Sequence, residues 1–401
     1  MTPPDPDPGQ LPADWPAPSD DAMEHCRRLA RRLGERITAN DGWISFHDWM
    51  EAALYAPGLG YYSAGARRFG PAGDFITAPV ISSLFGWTLA RQCAQVLADC
   101  GGDTILEFGP GDGDLAVDVL QELQRMDALP ARYLLLERSG TLRARQQERL
   151  QDLPVDIASR VQWLDRLPET PIRGVMLANE VADALPVQRF HRTADGVAEL
   201  GVTLEKNRFA WAEQPADTAL TDSIAALEGD LGRALPADYI SEFSPQLAGW
   251  MGALADALEA GVALIVDYGY PRPDYYLPER REGTLMCHYR HRAHGDALLL
   301  PGLQDITAFV DFTLAAEGAF AAGLEVVGYT SQAHFLMGAG LPEVLQTHAE
   351  IGTLEQVRLA QQAKTLMMPG EMGERFQVLA VGRELPGQLS GFSLYNYLHR
   401  L

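Results

Sequence analysis

From Thr104 onward the chain alternates short apolar runs with amphipathic stretches. "TILEF" (104–108) is followed by helical spacing over 115–126, and "RYLLLE" (132–137) by helical spacing over 141–150. "VQWL", "GVMLANE" and "VALIVDYG" (262–269) are further apolar runs. A strand apolar at every position has both faces buried, which is the signature of a parallel sheet covered by helices on either side. "LEVVGYTSQ" (324–332) and "FQVLAVGRE" (376–384) are two more strands, separated by a helical stretch and placed to close that sheet. Between 187 and 215 the pattern changes to strict alternation around turn signals, which predicts a β-ribbon inserted after the fourth strand. Upstream, Met23, Leu29, Leu33 and Ile37 share one face of a helix over 21–40, and "SFHDWMEAALY" continues the helical pattern. Residues 57–86 are rich in glycine and aromatics without a period, and are expected to form a loop. The fold expected is α/β: a disordered tail (1–20), a helical and loop lead-in (21–86), and one mostly parallel α/β domain (87–401) with an insert at about 187–250.

Composition narrows the setting. The chain has 401 residues, 47% of them hydrophobic, enough for a large core. Its 32 basic and 54 acidic residues leave a net charge of −22, which disfavours a nucleic-acid backbone as partner and favours cationic ligands or peptides. Cys26, Cys93, Cys100 and Cys287 are too scattered for a disulfide framework or a C-x-x-C zinc site. No apolar run approaches the roughly 18–20 residues needed to cross a bilayer. The first twenty residues are rich in proline and aspartate, unlike a secretory signal or a mitochondrial presequence, so the expected location is cytoplasmic.

The chemistry concentrates in "EFGPGDGDL", where Gly109, Gly111 and Gly113 follow the first strand and open a helix. A dinucleotide-binding turn needs a small residue where Asp114 stands, and no lysine follows to make a phosphate-cradling P-loop. Glu107, Asp112 and Asp114 crowd the loop with carboxylates, which repel phosphate and favour a cation. Glu137 ends the second strand, where a carboxylate can accept both hydroxyls of a ribose. A nucleoside-like, phosphate-free cation meets these demands, and S-adenosylmethionine (SAM) is one. The alternative is that the glycines only make a tight turn and Glu137 caps the next helix.

"LEFGPGDGDL", "GDFITAPVISSLFG", "ANEVADALPVQRF", "EFSPQLAGW", "IVDYGY" and "LPGLQDITAFVDFT" together resemble the MidA-type branch of the class I methyltransferases. The likeness runs from about residue 37 to 382. It implies a Rossmann-like methyltransferase fold, SAM as cofactor, Gly109, Gly111 and Gly113 in the cofactor loop, Glu137 on the ribose and Thr77 near the cofactor's polar end. That branch includes the mitochondrial complex I assembly factor that methylates a protein arginine, so the resemblance implies an arginine-bearing protein as acceptor. Val80, Val181 and Ala182 depart from the branch's usual residues.

Methyl transfer from a sulfonium requires the acceptor's lone pair to be held in line with the sulfur, away from water. "ANEVADALP" offers candidates at the end of the fourth strand. Glu180 and Asp183 share a face if the chain turns helical there, and Asn179 either holds a ligand through its amide or caps that helix. Asp267, at the end of "LIVD", is a third candidate catalytic carboxylate, or else bonds loop amides. His288, His291 and His294 are spaced like ligands on a helix but lack acidic partners, and no metal is expected. Asp305, Thr307 and Asp311 are candidates to cap a helix over the site, Asp305 first among them. A small-molecule methyltransferase and a SAM-binding assembly chaperone share these features, whereas Asp114 excludes a nicotinamide oxidoreductase. Oligomeric state is not legible in the sequence.

Overall fold

In chain order the structure runs α1 (Asp20–Ala39), β1 (Trp43–Ser45), α2 (Phe46–Tyr55), α3 (Ala78–Ile81), α4 (Ser83–Cys100), β2 (Thr104–Phe108), α5 (Asp114–Arg125), β3 (Arg132–Leu136), α6 (Gly140–Leu150), β4 (Val161–Leu164) and β5 (Ile172–Asn179). It continues through β6 (Gln188–Arg192), β7 (Val197–Glu205), β8 (Arg208–Pro215), β9 (Tyr239–Phe243) and β10 (Leu258–Tyr270). This computed structural model describes residues 6–9, 11–63, 77–349, 352–385 and 387–401. Much of the expected glycine-rich loop, residues 64–76, lies outside the described residues, and its far end is helical, as α3 and the start of α4.

The chain divides into two compact units, each built from three separate stretches. One comprises Ile76–Asp183, Leu247–Pro271 and Val310–Leu401 and holds the central sheet. Its strand order is β4–β3–β2–β5–β10, all parallel, followed by Phe376–Arg383, antiparallel to β10, and then Glu325–Ser331, antiparallel to Phe376–Arg383. All five residues of β2 are buried, and most of β5 and β10, which is why these runs carry no polar alternation. Ile105, Leu135, Val175, Leu264 and Val378 meet the inner face of α4 (Leu89, Cys93, Val96) and α5 (Leu115, Val119, Leu123) in one apolar core. The two late strands do close the sheet, the last inserting between β10 and its predecessor.

The other unit comprises Met1–Phe75, Ala184–Gln246 and Arg272–Phe309. The expected ribbon is the centre of its antiparallel sheet, ordered β1–β7–β6–β9 with β8 on the free edge of β7. Lys206 and Asn207 turn β7 into β8 with φ of 47° and 65°, the paired positive angles of the two-residue turn that matches strand twist. A second such turn, Arg290–His291, joins Met286–Tyr289 to Arg292–His294. His288, His291 and His294 therefore lie on a β-hairpin and not on a helix, so the i, i+3 spacing of a helix face does not set their arrangement.

Several described residues of the expected tail make specific contacts in this unit. Asp7 pairs with Arg208 at 3.0 Å, Leu300 N–H donates to the Pro8 carbonyl, and the Trp15 ring packs edge-on against His294. Asp305 is not a helix cap: it lies on a strand and accepts from the Tyr62 hydroxyl at 2.9 Å. Asp311 caps the helix Phe312–Ala321 instead, accepting from Leu314 N–H at 3.0 Å. Among the described residues no helix is long and apolar enough to cross a membrane.

Candidate functional site

The site begins where β2 ends. Gly109, Gly111 and Gly113 have φ of 57°, 55° and 91°, three left-handed residues in five, so the chain doubles back before α5 in a way side-chain-bearing residues resist. A Cβ on Gly109 would stand 3.2 Å from Val181 Cγ2. α5 starts at Gly113 without a capping side chain, which leaves its first amides to the loop. Beneath the loop Glu107 is buried, at 2% exposure, and accepts from the Tyr133 hydroxyl at 2.7 Å; burial pushes its carboxyl up to about 7.

α6 flanks the loop and changes its electrostatics. Arg145 stands 3.6 Å from Asp112 and Arg149 2.9 Å from Asp114, so the loop carboxylates are paired within the protein. These arginines offset part of the negative charge that the sequence crowds into the loop. Glu137 follows β3 and is 8% exposed. Its Oε1 accepts from Ser139 N–H at 2.6 Å and its Oε2 from Gln146 Nε2 at 3.3 Å, while burial raises its pKa.

At the carboxyl end of β5 the expected helical turn is absent. Glu180 takes φ of 55°, unusual for a residue with a side chain, and its N–H donates to the Val266 carbonyl at 2.9 Å. The reason is Asp267: its Oδ2 accepts from the amides of Val181, Ala182 and Asp183 at 3.2, 2.8 and 3.2 Å, and its Oδ1 from Tyr268 N–H at 2.8 Å. Burial pushes this carboxyl up to about 7, while the four amides that converge on it pull it down. Asp267 is fully buried and bonds the amides of the turn, the second of the two readings its position offered, and it shapes that turn. Asp183 lies buried on that turn, and Glu180 Oε1 accepts from Asn179 Nδ2 at 3.1 Å. Asn179 does not cap a helix, and its buried Oδ1 has no hydrogen-bond partner among the described residues. Thr77 is nearly buried at the N-cap of α3 without a side-chain capping bond.

Tyr268 joins this group without having stood out in the sequence. Its hydroxyl is pushed well above the ordinary range by burial first, then by the charges of Glu180, Asp183 and Asp267. The α6 arginines and Gln146 were equally silent, since "RARQQERL" has only the look of a polar helix.

A glycine loop that leaves backbone bare, a buried carboxylate after the next strand and an unsatisfied amide oxygen on β5 suit SAM, which offers a ribose, an ammonium and a sulfonium. Comparison with known proteins agrees. Residues 88–330 match the family described as "Putative S-adenosyl-L-methionine-dependent methyltransferase", and the chain belongs to that family. It is a MidA-like class I methyltransferase with SAM as its cofactor. A crystal structure from Burkholderia thailandensis, described as a "likely methyl transferase" bound to S-adenosyl-homocysteine, is 40% identical, covers 97% of this chain and 100% of that chain, and superposes with a TM-score of 0.92. The mitochondrial protein arginine methyltransferase NDUFAF7 homolog of Drosophila melanogaster is 30% identical over 94% of this chain and 90% of its own length. NDUFAF7 of Danio rerio, also named a mitochondrial protein arginine methyltransferase, is 28% identical over 92% and 90%. These mitochondrial relatives overturn the cytoplasmic expectation.

Proposed function

We propose that the chain methylates an arginine guanidinium of a protein, with a respiratory complex I subunit as the acceptor class that the family resemblance implies. The observation that carries this reading is the end of β5, where the strained backbone of Glu180 presents a carboxylate beside Asn179, with Asp183 on the same turn. When bound, SAM supplies a methyl group on a sulfonium. Glu137 would hold the ribose hydroxyls, Gly109, Gly111 and Gly113 would let the backbone approach, the unsatisfied Asn179 Oδ1 would accept from the cofactor's ammonium, and Thr77 would border its polar end. Glu107 supports the loop from below.

The acceptor's difficulty is its proton. A guanidinium holds it with a pKa above about 12, so deprotonation before attack is unfavourable. Glu180 and Asp183 would grip its N–H groups and fix one nitrogen in line; as the N–C bond forms and the C–S bond breaks to leave S-adenosyl-homocysteine, the proton of that nitrogen would pass to one of these carboxylates and on to water. Tyr268, held protonated by its surroundings, is a donor and not a base. The net charge of −22 favours a cationic peptide over an anionic one.

The test is transfer from labelled SAM to peptides differing only by arginine or lysine at the target. Lysine must first lose a proton to expose a lone pair, so transfer to arginine alone is expected, with a KM that rises with salt around 0.1 M, where the screening length is about 10 Å. Equal transfer to lysine, or turnover of an uncharged small molecule without protein, would sink the arginine reading and leave the methyltransferase intact.

A further inference from the structure

α6 carries a residue that the cofactor contacts proposed above do not use. Gln146 is fully buried on the face of α6 turned to the sheet. Its Nε2 donates to the Gly111 carbonyl at 2.8 Å and to Glu137 Oε2 at 3.3 Å. Its Oε1 accepts from the indole N–H of Trp163, on β4, at 2.9 Å. The partners fix the orientation of the amide: a carbonyl and a carboxylate need its nitrogen, an indole needs its oxygen. A Cβ on Gly113 would stand 3.5 Å from the Cα and Cγ of Gln146, so the stem lies against the loop. One side chain thus joins the central glycine of the loop, the carboxylate after β3 and the edge strand of the sheet.

We propose that Gln146 is a positioning residue for the cofactor: it sets the Gly111 peptide and the Glu137 carboxylate in register with one another, so that loop and ribose anchor meet the nucleoside together. The proposal rests on the reading of Glu137 as the ribose anchor. Both NH₂ hydrogens of the amide are engaged by partners of different function, and Trp163 prevents the amide from rotating away from either. Gln146 is not part of the charged clamp, in which Arg145 and Arg149 reach Asp112 and Asp114.

The test measures S-adenosyl-homocysteine binding by calorimetry in Gln146→Leu, Glu137→Gln and the double variant, with S-adenosyl-homocysteine and its 2′,3′-dideoxy analogue as probes. Gln146→Leu should weaken binding of the full ligand by about tenfold, the scale of a buried hydrogen bond whose partner is left unsatisfied. The loss should be smaller for the dideoxy analogue, and the two substitutions should combine to less than the product of their separate effects. At saturating SAM, kcat should stay within about twofold of wild type. Gln146→Glu gives a second readout. Its carboxylate beside Glu137 repels at neutral pH, whereas one shared proton at lower pH restores a donor, so its affinity should improve as pH falls. Equal losses for both ligands, multiplicative effects, or a Gln146→Glu variant with a wild-type pH profile would overturn the positioning role. Unchanged binding in Glu137→Gln would instead overturn the ribose reading beneath it.

Discussion

Gly111 sits at φ of 55° in the middle of the loop, where any side chain pays the left-handed penalty of about 1–2 kcal/mol and a β-branched one also covers the backbone. Gly111→Val should therefore retain its circular dichroism and lose S-adenosyl-homocysteine binding in calorimetry; an unchanged affinity would place the cofactor elsewhere. Glu180→Gln keeps shape and deletes charge. If Glu180 grips the acceptor, turnover should fall about 10- to 1,000-fold, or roughly 1.4–4 kcal/mol of transition-state stabilisation, while SAM affinity changes little. Wild-type turnover would remove Glu180 from the chemistry. Asp267→Asn acts differently, because an amide cannot accept at both ends. It should cost about 1.5–3 kcal/mol in urea denaturation and lower turnover through the displaced turn. The glycines were legible because their spacing after an apolar run has few other uses. The turn at Glu180 was not: the spacing of Glu180 and Asp183 suits a helix equally well, and the decision is made by a carboxylate 84 to 86 residues further on.

Among the elements, strands and their helices were legible because a two-sided buried strand excludes polar residues, and that rule is local. The role of α6 was not. Its arginines find Asp112 and Asp114 only after the chain has passed through β3, and a single sequence does not distinguish an arginine facing water from one facing a loop 35 residues upstream. Arg149 is half exposed and Arg145 about a quarter, so each pair contributes at most about 1 kcal/mol. Replacing both by alanine should raise the Kd for S-adenosyl-homocysteine about two- to fivefold at low salt. The gap from wild type should close near 1 M salt, where the screening length is about 3 Å. A gap independent of salt would mean that the arginines act through packing.

For the whole molecule, buried carboxyls set the pH response. Glu107 and Asp118 both have pKa values raised by burial to about 7, from 4.5 and 3.8. Across that interval the folded chain retains protons that the unfolded chain has released, so their contribution to stability is full below it and is lost as pH rises toward 7 and beyond. The melting temperature should accordingly decline as pH is raised through this window, less steeply in Glu107→Gln and Asp118→Asn; identical slopes in all three proteins would show that other groups dominate. The insertion of Phe376–Arg383 between β10 and Glu325–Ser331 has a different consequence, in the order of synthesis. β10 leaves the ribosome more than a hundred residues before its antiparallel neighbour, and Glu325–Ser331 emerges with no native strand yet available to pair with it. Until the last strand arrives, the nascent chain carries two raw apolar strand edges, the kind of surface that recruits holdase chaperones or pairs with a second nascent copy.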